Sequence, residues 1–287
     1  MEKRRSELTP ETRGILVDSL VKLAEKKQLR PETLFRAVAY IDRYLSLDHR
    51  IRTTTRRRLR LLAASSMLIA SKYEEVDQLN VADLVNIAGT KSRQEVLNME
   101  MEILKKLKFE MGAPTIHTFL GELCEVVAQE EMMEMKSQLH FMASYVAELS
   151  LWDCRLGSEF SSSLVAASVM FLSRFIIKPD VHPWNDSLQR HSGYKPPQLK
   201  ECVLIMHDDL NSGRKRKRDD DSDYVRTKYS TEKFKCVTAV DSPGEIPLLF
   251  FEDTAFESKK GVRRGDSAAS TAPVCSKFLR SRNGTSC

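Results

Sequence analysis

The stretch LLAASSMLIASKY, residues 61–73, is followed 103 residues later by LVAASVMFLSRF, residues 164–175. Both place Ala-Ala-Ser ahead of a methionine and an apolar run, and both close on serine, a basic residue and an aromatic. An imperfect echo at this spacing marks a duplicated structural unit. In each copy apolar residues fall on every side of a 3.6-residue helix, so each helix must be buried all round. Small side chains at Ala63, Ala64, Ser65 and Ser66 let neighbouring helices approach closely. Only the first copy runs on into Glu74 and Glu75.

Around each copy the periodicity predicts a set of five helices. In the first set, Thr9-Pro10 reads as an N-cap with proline at the first helical position. Ile15, Leu16, Leu20 and Leu23 form that helix's apolar face, and Leu34, Val38, Ile41 and Leu45 the next. The third helix runs from about 54 to 75, a short fourth spans 81–88 before Gly89, and a fifth covers 92–107. The second set is expected at 115–129, 132–151, 159–177, 196–211 and 224–239. With 287 residues, 11 glycines and 10 prolines, the chain has room for two helical domains and few breakers. The fold class is therefore all-α: a short segment 1–8, five-helix units at 9–112 and 113–240, and a disordered Ser-, Gly-, Arg- and Lys-rich tail at 254–287. Within the second unit, GRKRKRDDDSD (213–223) has no apolar anchor and is read as a solvated loop.

Several function classes find no support. No phosphate-binding glycine loop, dinucleotide fingerprint or nucleophile elbow occurs, so the chain is read as a non-enzyme without a cofactor. The six histidines lack a second ligand at i+3 or i+4, so no metal site is expected. No apolar run is long enough for a membrane span, and the six scattered cysteines read as free thiols. A net charge of +5 is too small, and too locally distributed, to point to nucleic acid. Lys72, at the end of the most apolar helix, and Glu100, beside Val96 and Leu104, stand out. Such groups are ordinarily snorkelling surface residues, or else a polar island within an apolar docking face.

TRGILVDSL, AVAYIDRYLS, LLAASSMLIASKYEE, VLNMEMEILKKLKFEMGAPT and PWNDSLQRHSGY-KPPQLKECVLIMHD, in this order and spacing, resemble an A-type cyclin of the mitotic, plant-like kind. The resemblance implies two tandem cyclin folds and a heterodimer with a cyclin-dependent protein kinase, which the cyclin activates. It implies kinase contacts by Lys72 and Glu100, with Tyr73, Leu104, Phe109 and Met111 around them, and a structural ion pair between Arg13 and Asp42. Only the first repeat carries this full set, so the second is expected to support it.

The family's substrate-docking patch is kept at Ile15 and Leu16, but Thr12, Ser19 and Arg60 replace its Met, Trp and Gln. Loss of the tryptophan removes the groove's largest apolar element. Arg60 joins Arg50, Arg52, Arg56, Arg57 and Arg58 in an edge expected to repel basic substrate peptides. Drift of a surface groove and a new specificity both fit. Arg5-x-x-Leu8 is not read as a destruction box. Two rival readings remain: a degenerate cyclin that activates nothing, and a twin-cyclin-fold transcription factor. The second would need two basic faces, whereas the second repeat is acidic at Glu122, Glu125, Glu130, Glu131 and Glu134.

The run Arg214, Lys215, Arg216, Lys217 and Arg218 resembles a nuclear localisation signal, which places the chain in the nucleus and, in part, the cytoplasm. Replacing all five by alanine is expected to move a fluorescent fusion too large for passive pore diffusion into the cytoplasm. Retention in the nucleus, in cells where no partner carries it in, refutes the signal.

Overall fold

Thr9 opens the first helix of the computed structural model, which describes residues 9–47, 55–90, 92–129, 133–215 and 224–253. Its hydroxyl accepts from the Thr12 amide, and Pro10 follows at the first helical position. The first set comprises α1 (Pro10–Lys26), α2 (Pro31–Ser46), α3 (Arg56–Glu74), α4 (Val81–Ala88) and α5 (Arg93–Lys106). Then come α6 (Ile116–Ala128), α7 (Met133–Ser150), α8 (Cys154–Ser158), α9 (Ser162–Ile177), α10 (Asp186–Ser192), α11 (Pro196–Lys215) and α12 (Tyr224–Tyr229). Among the described residues no strand occurs. The expected tail at 254–287 and the segment 1–8 lie outside the described residues.

The echoed segments become α3 and α9. Helix α3 packs against α1, α2, α4 and α5, while α9 packs against α6, α7 and α11. Every residue from Leu61 to Ser71 is buried, as is every one from Val165 to Ser173. Ser65 donates to the Val96 carbonyl of α5 at 2.9 Å, a contact that only a small side chain permits at this separation. The remaining faces follow the apolar patterns: Leu34, Val38, Ile41 and Leu45 of α2 are buried, as are Val96, Ile103 and Leu107 around α5.

Four expectations need correction. Ile15 is 58% exposed, and α1 instead buries Leu16, Val17, Leu20, Val21 and Leu23. The third helix of the second set does not begin at 159: a separate turn, α8, precedes it, and Ser161 caps α9. Helix α11 continues to Lys215, so the charged stretch begins within a helix. The fourth position of the second set belongs to α10, not to 196–211. Asn185 caps it and left-handed Gly193 (φ 76°) ends it, as Asn80 and Gly89 (φ 65°) bound α4. Helix α11 is then the fifth, and 224–239 falls outside the five-helix pattern. That segment breaks into α12 and two 3₁₀ turns because Lys235 and Cys236 are both left-handed.

Helix α12 instead ties the two sets together. It packs on α1 and α7, where Lys228 reaches Glu148 at 2.6 Å and Glu25 at 3.7 Å. Tyr229 also donates to Glu148, at 2.9 Å. Burial pushes Glu148 above the usual carboxylate range even though Lys228 and Tyr229 oppose the shift. A second tie runs from Arg13, which pairs with Asp42 of α2 (Nη2–Oδ2 3.0 Å) and donates through Nε to the Leu151 carbonyl at 2.9 Å. The ion pair thus joins α1 and α2 as expected, and also anchors both to the end of α7. The described cysteines, Cys124, Cys154, Cys202 and Cys236, are free thiols, and burial pushes Cys124 and Cys202 up to about 11.

Two outcomes follow from this packing. Ala64 and Ala167 are fully buried in the two echoed helices, so replacing either by leucine should cost about 1–3 kcal/mol through overpacking. Thermally silent substitutions at both would refute their central placement. The other outcome concerns a cavity of about 370 Å³ lined by Pro10, Trp152, Asp153, Arg155, Asp209 and Arg226 among others. Desolvation and the neighbouring Asp153 carboxylate push Asp209 up to about 6. The folded chain therefore holds a proton that the unfolded chain releases near 3.8, and stability falls as pH rises between those values. Asp209→Asn should melt above the wild type at pH 7 and lose that advantage near pH 4, measured by thermal denaturation at both.

Candidate docking surface

The last turn of α3 carries Lys72, which meets Glu100, and Tyr73 and Glu74, which both meet Arg36. Lys72 Nζ lies 2.6 Å from Glu100 Oε1 of α5. Glu100 is buried and the Lys72 side chain is 40% exposed, so the pair sits at the surface with its acidic half sunk into the helix packing. Tyr73 and Phe109 are more than half exposed, and Val76 is almost fully exposed. Exposed apolar side chains thus lie at the end of α3 and just beyond α5, the two helices that the charged pair links.

Phe109 reaches the surface through an unusual turn. Lys108 and Phe109 both adopt left-handed φ values of 53° and 59°, uncommon for residues with bulky side chains. The turn closes through the Phe109 amide to the Leu104 carbonyl at 2.9 Å and the Glu110 amide to the Leu107 carbonyl at 3.0 Å. Side chains of α2 hold it from below. Tyr40 donates to the Met111 carbonyl at 2.9 Å, and Arg43 to the Glu110 carbonyl at 2.6 Å. Burial pushes both Tyr40 and Tyr44 up to about 12, so both hydroxyls stay protonated donors at neutral pH. Tyr44 uses its hydroxyl on Glu102, which also takes Arg58.

Arg36 occupies the centre of this arrangement. Its Nη1 donates to the carbonyls of Met111 (2.9 Å) and Ala113 (3.1 Å), its Nε pairs with Glu74, and its Nη2 meets Glu32 at 3.3 Å. Its guanidinium lies 4.6 Å from the centroid of the Tyr73 ring. Below it, Glu32 accepts from Thr115, Thr118 and His117. Burial alone would raise Glu32, but these hydrogen bonds hold it below the usual carboxylate range. Sequence reading passed over Arg36. The available signal was a charged residue in line with Tyr40 and Tyr44 at i+4 and i+8, on the same face of the helix.

Lys72 and Glu100 meet across α3 and α5, Tyr73 adjoins Lys72 at the end of α3, and Phe109 is exposed in the turn after α5. The structure sets Leu104 half-buried against the core, and it buries Met111, whose backbone carbonyl rather than side chain does the visible bonding. The Met111 side chain, expected among the kinase contacts, packs in the core while Arg36 and Tyr40 bond its carbonyl.

The second expected patch is also altered. Leu16 and Thr12 are buried, and the Ser19 hydroxyl turns back to the Ile15 carbonyl at 2.8 Å, leaving Ile15 as the exposed apolar side chain. Arg60 does not project as a free charge: it donates to the Ile87 (3.0 Å) and Asn86 (2.8 Å) carbonyls at the end of α4. Arg57 pairs with Glu95 at 2.6 Å and Arg58 with Glu102 at 2.5 Å. Two arginines of the anticipated basic edge, Arg57 and Arg58, are thus paired with carboxylates of α5. Arg50 and Arg52, and Arg216, Lys217 and Arg218 of the basic run, lie outside the described residues; Arg214 and Lys215 fall in the last turn of α11. No group of three or more metal-ligating side chains occurs among the described residues, and no described helix is long and apolar enough to cross a membrane.

The profile of the cyclin N-terminal domain matches residues 1–112, and that of the cyclin C-terminal domain matches residues 114–243. The chain belongs to the cyclin family. It is 48% identical over 254 residues to the G2/mitotic-specific cyclin C13-1 of Daucus carota, covering 88% of this chain and 71% of that one. It is 43% identical to Cyclin-A3-2 of Oryza sativa subsp. japonica over 88% of this chain and 63% of that protein. These relatives make it a cyclin of the plant A type. A viral cyclin from herpesvirus saimiri shares the fold at 24% identity and a TM-score of 0.59, over 72% of this chain and 87% of that one. A chain of the CAK complex of Chaetomium thermophilum bound to ATP-γ-S shares it at 13% identity and a TM-score of 0.50, over 91% and 83% respectively.

Proposed function

We propose that this cyclin is a regulatory subunit that binds and activates a cyclin-dependent protein kinase in cell-cycle control. The observation that carries this reading is the Lys72–Glu100 pair at 2.6 Å, with exposed Tyr73 and Val76 at the end of α3 and exposed Phe109 in the turn after α5. A kinase becomes active when its αC helix is swung inward, so that its own Lys–Glu pair and metal-binding Asp align. A charged pair fixes the register of such a helix, and the surrounding apolar side chains supply the buried area. Membership of the A-type cyclins supports the same partner class. Arg57 and Arg58 of the basic edge are engaged by Glu95 and Glu102, which sets them in intramolecular pairs rather than free for phosphates. Nuclear residence, through the basic run at 214–218, belongs to this proposal.

Substituting Lys72→Ala together with Glu100→Ala removes both charges, so neither is left buried and unpaired. The double variant should lose kinase co-purification, because truncating a desolvated charged anchor at an interface costs about 2–5 kcal/mol. Its helical content and melting temperature should change little. Wild-type kinase binding by the folded double variant would refute the proposed contact.

A further inference from the structure

The docking face depends on a turn that its own sequence does not favour. Lys108 and Phe109 both sit in the left-handed region, which costs a non-glycine residue free energy unless neighbours impose it. Tyr40 and Arg43 hold the Met111 and Glu110 carbonyls, and one further guanidinium links this stretch to the end of α3. Arg36 spends Nη1 on the Met111 and Ala113 carbonyls, just beyond the turn, and Nε on Glu74, the last residue of α3. The same group lies over the Tyr73 ring, whose hydroxyl stands 2.9 Å from where a Cβ on Gly112 would lie. Turn and helix end, which supply Phe109 and Tyr73, are thus registered against each other through one buried side chain.

We infer that Arg36 is a positioning residue for the docking face: its planar fork fixes Tyr73 and Phe109 in their mutual arrangement before any partner arrives. The inference rests on the kinase-docking reading above. Lysine cannot substitute, because a single ammonium offers neither parallel donors to two carbonyls and two carboxylates nor a flat surface for the tyrosine ring. Gly112 is the second member of the device, since a Cβ there would stand 2.9 Å from the Tyr73 hydroxyl and force it to shift.

The test compares the wild type with Arg36→Lys, Arg36→Leu and Gly112→Ala. Arg36→Lys is included because Arg36→Leu strands two carboxylates and can prevent folding. Hydrogen exchange of the free chain should quicken at the Lys108, Phe109 and Glu110 amides in both Arg36 variants. Affinity for a purified cyclin-dependent kinase, measured by calorimetry, should fall about tenfold if about one molecule in ten retains the competent turn. Gly112→Ala should weaken binding while leaving the bonds of Arg36 in place. Arg13→Lys, a disturbance at the other ion pair, should lower the melting temperature without weakening binding by the folded chain. Unchanged exchange and unchanged affinity in folded Arg36→Lys overturn the inference. If the wild-type chain binds no cyclin-dependent kinase, the docking reading falls and the positioning role with it. Exchange still reports separately whether Arg36 holds the turn.

Discussion

Everything in this molecule depends on two helices that can be surrounded. A helix buried on all sides needs neighbours whose backbones come near it, and side-chain bulk sets how near. Helices α3 and α9 meet that demand with alanine and serine at their centres, fully buried in both. Leucine, methionine and phenylalanine lie to either side, so the packing is close at the middle and filled at the ends. Serine brings a hydroxyl into the core, and Ser65, Ser71 and Ser173 each place theirs on a backbone carbonyl.

Packing round each central helix makes two sets, and polar side chains join them. The Arg13–Asp42 pair reaches the end of α7, and the Lys228–Glu148 pair joins α12 to α7 beside α1. Burying charges is expensive, and each pair offsets the cost with further hydrogen bonds: the Leu151 carbonyl for Arg13, and the Tyr229 hydroxyl for Glu148. Such bonds are directional, so they fix the geometry of a junction that apolar contact alone would leave adaptable. Helix α12, which lies outside the repeated pattern, exists in order to make one of these junctions.

The docking face uses the same device on a smaller scale. Exposed aromatic side chains gain nothing from the solvent around them, and left alone they would fold back onto the core. Here a buried arginine beneath the surface helps to hold the turn that displays Phe109, while its guanidinium lies over the Tyr73 ring. The second repeat carries Arg174 and Phe175 in the last turn of its own central helix, but Phe175 is buried against His207 and Phe250. The echo therefore holds for the core and stops at the surface, where only the first copy displays its aromatic.

Much of this was legible in the residues. The all-round apolar character of two echoed segments determined which helices lie at the centre, and proline, serine, threonine and glycine marked most helix ends, since caps and breakers act locally. Lys72 and Glu100 could be singled out as charges on apolar helices. The sequence also held the clue to α10 in the matching Asn185-to-Gly193 and Asn80-to-Gly89 spans, although seven residues are too few for periodicity to register. Tertiary structure alone decided the fates of single side chains whose partners lie far away in the chain. Arg36 meets Met111 and Glu74, Arg60 caps α4, and Met111, expected among the kinase contacts, packs in the core. The physical reason is range: capping and amphipathicity act within a few residues, whereas an arginine on one helix finds its acceptors dozens of residues away, only once the helices have packed.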